Sequence, residues 1–228
     1  MKVELLRVTD KPEELITAAA RQTRHILNEK DFKSNAELLH HIIEAGHLSV
    51  FEHVNYTFLV KDISIVTARQ FMRHRLCSYT ELSRRYTKEP WKMVLPDIQN
   101  RLKPVMMGHF DVSSCIFTKL VANGVSLEDA RYIMPVGCAT DFIVTMNARQ
   151  LRNVIQTNSC VRAQKELREL IADMFREART ATPNLMFKLG PYCVVHGHCN
   201  QLYFLRKEFK IERMEDCKEY VEWSGDKK

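Results

Sequence analysis

Residues 51–75 read FEHVNYTFLVKDISIVTARQFMRHR, and the period of the pattern changes halfway along. Val54, Tyr56, Phe58 and Val60 fall on one side and His53, Asn55 and Thr57 on the other. That period of two belongs to a strand with one buried face. From Ile63 onward the apolar spacing turns helical. A half-buried strand running straight into a helix predicts a mixed α/β fold.

The flanking segments agree. MKVELLRVT (1–9) reads as an opening strand and PEELITAAARQTRHIL (12–27) as a helix. SNAELLHHIIEAG (34–46) is a cleaner helix. Ser34 and Glu37 form a capping box, Leu38, Leu39, Ile42 and Ile43 make its buried stripe, and Gly46 is its stop. SLEDARYIM is a short helix opened by Ser126 and closed by Pro135. TDFIVTM (140–146) is a strand leading into the helix NARQLRNVIQ. A long amphipathic helix follows, with Leu167, Leu170, Ile171, Met174, Phe175 and Ala178 inward. No repeat, low-complexity linker or clear domain boundary interrupts the chain. We expect one α/β (α+β mixed) domain over residues 1–200, followed by a basic C-terminal extension, 201–228.

The 228 residues can bury a substantial core. The net charge of +6 is moderate and favours small anionic ligands over a uniformly basic nucleic-acid surface. The opening carries acids where a signal peptide needs an apolar run, and no apolar segment approaches membrane-spanning length. Seven scattered cysteines suit reduced thiols in a cytoplasm. The sequence therefore predicts a cytoplasmic protein with no membrane and no nucleic-acid partner. The seven glycines form neither a G-x-G-x-x-G motif nor a P-loop, so side chains must hold any phosphate. CVVHGHC offers Cys193, His196, His198 and Cys199, but this is not the spacing of a closed zinc site, and no metal is expected.

The cations concentrate in QFMRHRLCSYTELSRRYT (70–87), which holds Arg73, His74, Arg75, Arg84 and Arg85. If the helix continues through them, Gln70, Arg73 and His74 share a face while Arg73 and Arg75 point apart. Two ligands, or one ligand and a neighbouring subunit, would be needed to collect them. If ELSRR is extended, Glu81, Ser83 and Arg85 line one side: carboxylate, hydroxyl and guanidinium, a row that suits a nucleotide. Neither Cys77 nor Ser83 has an obvious base paired to it in sequence, so neither reads as a nucleophile.

RHR, seven residues and then Ser83, within RHRLCSYTELSRRY, resembles the signature of the flavin-dependent thymidylate synthases, the ThyX family. GHLSVFEHVNYTF (46–58), ARQ (68–70), EDARYIMP (128–135), MNARQLRN (146–153) and GPYCVV (190–195) are similar to further family segments in the same order. The resemblance implies a mixed sheet wrapped by helices and a homotetramer with shared active sites. It implies FAD bound by Ser49, Arg73, His74, Arg75, Glu81, Asn147, Arg149 and Asn153, with His47 near the flavin and folate. A pyrimidine nucleotide would fall to Gln70, Arg73, Glu81, Ser83, Arg85 and Arg131. The implied reaction is reductive C5-methylation of dUMP, with 5,10-methylenetetrahydrofolate as one-carbon donor and NADPH as reductant.

One departure bears on that reaction. Where the family carries a Leu-Arg pair whose arginine is thought to bind the pyrimidine, this chain has Thr157 and Asn158. An amide supplies neither charge nor a bidentate guanidinium. Thr80 likewise replaces the signature's usual Asn. Three readings follow: a working thymidylate synthase in which Arg162 or Arg152 substitutes, a C5-methylase of UMP or another pyrimidine nucleotide, or a flavin- or nucleotide-binding homologue with impaired catalysis.

Overall fold

The computed structural model describes residues 1–23, 32, 34–87 and 91–225. Its strands are β1 (Lys2–Val8), β2 (Asn55–Ser64), β3 (Cys77–Glu81) and β4 (Ala139–Asn147). Its helices are α1 (Pro12–Thr23), α2 (Asn35–Glu44), α3 (Ile65–Phe71), α4 (Lys103–Ala122), α5 (Leu127–Ala130), α6 (Ala148–Asn158), α7 (Lys165–Ala181), α8 (Tyr192–His196), α9 (Leu202–Phe209) and α10 (Lys218–Gly225). The strands form one antiparallel sheet in the order β1-β2-β4-β3, giving the expected mixed α/β fold. Thr57 meets Thr145 through their hydroxyls, and the Asp62 amide donates to the Asp141 carboxylate, which fixes the antiparallel register of β2 and β4.

The chain gathers into two compact units. The first holds Met1–Lys2, Leu59–Arg73 and Tyr79–Ile143; the second holds Val3–Phe58, His74–Ser78 and Val144–Lys228. In the first, Trp91, Phe110 and Cys138 form a buried cluster with Ile65, Met93 and Phe117 around it. In the second, Tyr56 and Phe58 of β2 and Val144 and Met146 of β4 are almost fully buried with the apolar faces of α6 and α7. The Tyr56 hydroxyl and the Thr182 hydroxyl hydrogen-bond at 2.6 Å inside that core. Burial pushes the Tyr56 pKa up to about 12.

Local rules account for most boundaries. Ser34 caps α2 by accepting from the Glu37 amide, and Gly46 follows it at φ +73°, which favours glycine. Asn147 caps α6 by accepting from the Gln150 amide. α7 buries the six residues expected of it. Of the helix expected over 12–27, residues 24–27 lie outside the described residues. α4 was not foreseen: its twenty residues bury only Phe110 and Ser113, so its period is weak.

The segment after residue 200 needs correcting. It is not basic: seven Lys and Arg are balanced by seven Asp and Glu. Several pair with one another, including Arg206 with Glu212, Arg213 with Asp216 and Lys218 with Glu222. It folds as α9 and α10 and packs on α7 through Phe175–Trp223 rings 4.8 Å apart and the partly buried Arg168–Glu219 ion pair at 3.0 Å.

Candidate functional site

The cation-rich stretch does not stay helical. α3 is opened by Ser64, which accepts from the Thr67 amide, and it stops at Phe71. Phe71 is buried against Phe142 and Tyr79, and the Tyr79 hydroxyl donates to the Phe71 carbonyl at 3.3 Å. The Phe71 carbonyl is thus taken up from outside the helix, and the RHR tripeptide leaves it before Arg73. The shared helical face expected for Gln70, Arg73 and His74 is not formed. The side chains of Arg73 and Arg75 are exposed and make no hydrogen bond or ion pair among the described residues. Gln70 is likewise exposed.

The extended row expected in ELSRR ends early as well. β3 stops at Glu81, the Leu82 amide donates to the Asp141 carbonyl, and residues 84–86 turn, with the Tyr86 amide reaching the Ser83 carbonyl. The turn sends Arg85 outward to Glu128, 3.0 Å away in an exposed ion pair. Within the first unit, Glu81, Ser83, Arg84, Arg131, Arg69 and Thr140 line a cavity of about 660 Å³. Glu81 accepts a hydrogen bond from the Thr140 hydroxyl at 2.9 Å. Arg131 donates from Nε to the Glu128 carbonyl at 3.2 Å. Three of the six expected nucleotide residues, Glu81, Ser83 and Arg131, therefore meet here; Gln70, Arg73 and Arg85 do not line the cavity. Sequence reading missed Arg69, Arg84 and Thr140, although Arg84 stood in plain view beside Arg85.

The second unit holds another cavity, about 620 Å³, lined by Arg149, Arg152, Asn153, Gln156, Lys188 and His196 among others. Arg149, Asn153 and Gln156 recur at helical spacing along one face of α6. Arg149 is paired with Glu52 at 2.5 Å, and Gln156 is 3.0 Å from the His196 ring. These guanidinium, amide and imidazole groups suit an anionic dinucleotide with polar ring edges, such as the flavin cofactor implied by the resemblance. Ser49 and His47 are exposed around the short 3-10 segment Leu48–His53, of which Leu48 reaches the cavity. Asn147 commits its side-chain oxygen to capping α6.

His74 belongs to the second unit too. Its Nε2 lies 2.8 Å from the Asn158 amide nitrogen. Burial disfavours the charged imidazolium and lowers its pKa. Both expected substitutes for the missing arginine are engaged elsewhere. Arg152 is buried on the carbonyls of Leu185 and Phe187, at 2.6 and 3.1 Å, and its pKa is pushed down to about 10 by that burial. Arg162 hydrogen-bonds Gln201 and lies over the Phe204 ring, 4.6 Å from its centre.

Among the described residues no group of three or more His, Cys, Asp or Glu is arranged to hold a metal ion. No described helix is long and apolar enough to cross a membrane.

A family model described as thymidylate synthase complementing protein matches residues 4–184. The flavin-dependent thymidylate synthase of Saccharolobus solfataricus is 34% identical over 226 residues, which cover 95% of this chain and 85% of the relative. Those of Clostridium tetani and Geobacter sulfurreducens are 31% and 33% identical, each alignment covering 87% of this chain and 90% of the relative. With the match running from β1 past the end of α7, and relatives of this similarity covering 87–95% of the chain, the chain belongs to the flavin-dependent thymidylate synthase family.

Proposed function

We propose that the protein methylates dUMP at C5 to give dTMP, with FAD as bound cofactor, 5,10-methylenetetrahydrofolate as one-carbon donor and NADPH as reductant. The observation that carries this reading is the meeting of Glu81, Ser83 and Arg131, from distant segments, in one cavity. Arg131 supplies charge for a phosphate, and Ser83 and Glu81 supply a hydroxyl and a carboxylate for the sugar and base edge. Arg85 joins them when it exchanges Glu128 for the nucleotide. Arg149 and Asn153 hold the flavin dinucleotide, with Ser49, Arg73, His74, Arg75, Glu81 and Asn147 contributing and His47 beside the folate. When bound, FAD supplies the reducing equivalents that the methylation requires. The chain's own work is to hold its ligands in register and to present fixed donors to the pyrimidine. Arg73 and Arg75, exposed and without a side-chain partner among the described residues, suit sites completed by other subunits of a homotetramer. The reading places the enzyme in the cytoplasm, with residues 1–200 as the catalytic domain and 201–228 as an extension docked on α7.

Asn158 favours a second reading. An amide at this position hydrogen-bonds a base edge without favouring ionisation of the ring, which suits UMP or another pyrimidine nucleotide, or impaired catalysis. Tritium release from 5-tritiated dUMP and, separately, UMP tests both with purified protein, FAD, methylenetetrahydrofolate and NADPH. Release from dUMP with dTMP formed is the expected result. Release from UMP alone makes the protein a ribonucleotide methylase, and silence on both with flavin retained overturns the proposed reaction.

A further inference from the structure

Two chain segments run side by side next to the second-unit cavity, one leading out of α6 and the other out of α8. At the cavity wall, Gln156 of α6 and His196 of α8 meet at 3.0 Å. Further along both segments, Arg162 hydrogen-bonds Gln201 and lies over the Phe204 ring. Cys160 falls between Gln156 and Arg162, and Cys199 falls between His196 and Gln201, so the two contacts bracket the two thiols.

Both cysteines are half-buried and free of any disulfide. Burial raises the Cys160 pKa, and the charge of a Cys199 thiolate adds to the rise, so the sulfurs are near enough to feel one another. A third thiol, Cys193, also lies within electrostatic reach of Cys199. It belongs to the same segment as Cys199, within α8, and lacks the flanking contacts that hold two separate segments together. No three of these groups are arranged to hold a metal ion.

We propose that Cys160 and Cys199 form a reversible disulfide that clasps the end of α6 to the α8–α9 link and locks the Gln156–His196 wall of the cavity. The oxidant is a small disulfide such as oxidised glutathione. One cysteine thiolate attacks it to give a mixed disulfide and releases one small thiol; the other cysteine thiolate then displaces the second. Two protein thiols are oxidised, one small disulfide is reduced to two thiols, and the cysteine protons end on the departing thiols. Held on one another, Gln156 and His196 are withdrawn from a ligand in the cavity. That consequence rests on the flavin reading of the cavity, whereas the bond itself does not.

The full chain is incubated with oxidised glutathione, its remaining thiols are alkylated and its peptides are mapped by mass. We expect a Cys160–Cys199 cross-link, absent from Cys160→Ser and Cys199→Ser and retained in Cys193→Ser and in Cys115→Ser, an exposed control. The wild-type map decides the bond even if a serine variant fails to fold. FAD titrated by calorimetry should bind the oxidised form about five- to ten-fold more weakly than the reduced form, the worth of one hydrogen bond, with no such difference in Cys160→Ser. A map that joins Cys193 to Cys199, or mixed glutathione disulfides with no cross-link, overturns the inference. So does protein purified with a bound zinc ion whose thiols resist alkylation. Unchanged FAD affinity with the cross-link in place overturns the lock on the cavity. Reduced protein that binds no FAD overturns the flavin reading, while the mapped bond still stands.

Discussion

Asn158 donates from one amide nitrogen to both the Val154 carbonyl and His74 Nε2, each at 2.8 Å. An amide nitrogen only donates, so Nε2 accepts and the imidazole proton sits on Nδ1. The residue that departs from the family pattern is thus joined directly to the family signature, at the C-terminal end of α6.

Asn158→Arg restores a cation there and is expected to raise dUMP turnover, by up to about 100-fold if a transition-state contact is recovered. Tritium release with dUMP measures it. An unchanged or lower rate means that the site has been rebuilt around the amide.

His74 makes stability depend on pH. Its folded pKa lies below its ordinary value, chiefly because of burial. In the window between the two values the unfolded chain binds more protons, so stability falls as pH drops from the ordinary value, about 6.5, toward the folded one. Melting temperatures taken between about pH 7 and pH 5 should decline less steeply in His74→Gln than in the wild type. Parallel curves would remove His74 from the acid limb.

Arg152 has the opposite character from the exposed cations. It is 6% exposed and lies over the Phe51 ring as well as on two carbonyls. Arg152→Met leaves those buried acceptors unmatched and is expected to cost about 2–4 kcal/mol in denaturant unfolding. A loss below about 0.5 kcal/mol, the range of ordinary surface changes, would show that water replaces the guanidinium at no penalty.

Glu128→Gln releases Arg85 from an exposed pair that contributes roughly 0–1 kcal/mol. Stability should barely move, while dUMP binding tightens up to about five-fold, the same free energy recovered. Weaker binding would show that Glu128 positions Arg85 for the nucleotide rather than withholding it.

How much could be read beforehand depends on where each signal resides. β2, α2, α6 and α7 were legible because alternation, caps and apolar stripes are local, and the matching segments named Glu81, Ser83, Arg131, Arg149 and Asn153. The end of α3 was not, since it depends on Tyr79 returning from β3 to the Phe71 carbonyl. Nor was the choice between Arg84 and Arg85, which a single turn makes. α4 escaped notice because a helix that buries two residues in twenty leaves little period to read. The balance of charge after residue 200 was available to simple counting and was misjudged.

The ion pairs that tie Arg85 to Glu128 and Arg149 to Glu52 are both about half exposed, with side-chain accessibilities between 47% and 55%. Added salt therefore acts on them twice, screening an incoming phosphate and also loosening the carboxylate that must be displaced. The two effects oppose each other. Affinity at these arginines should vary gently with ionic strength, whereas at Arg73 and Arg75, whose side chains have no partner to lose among the described residues, it should fall steeply.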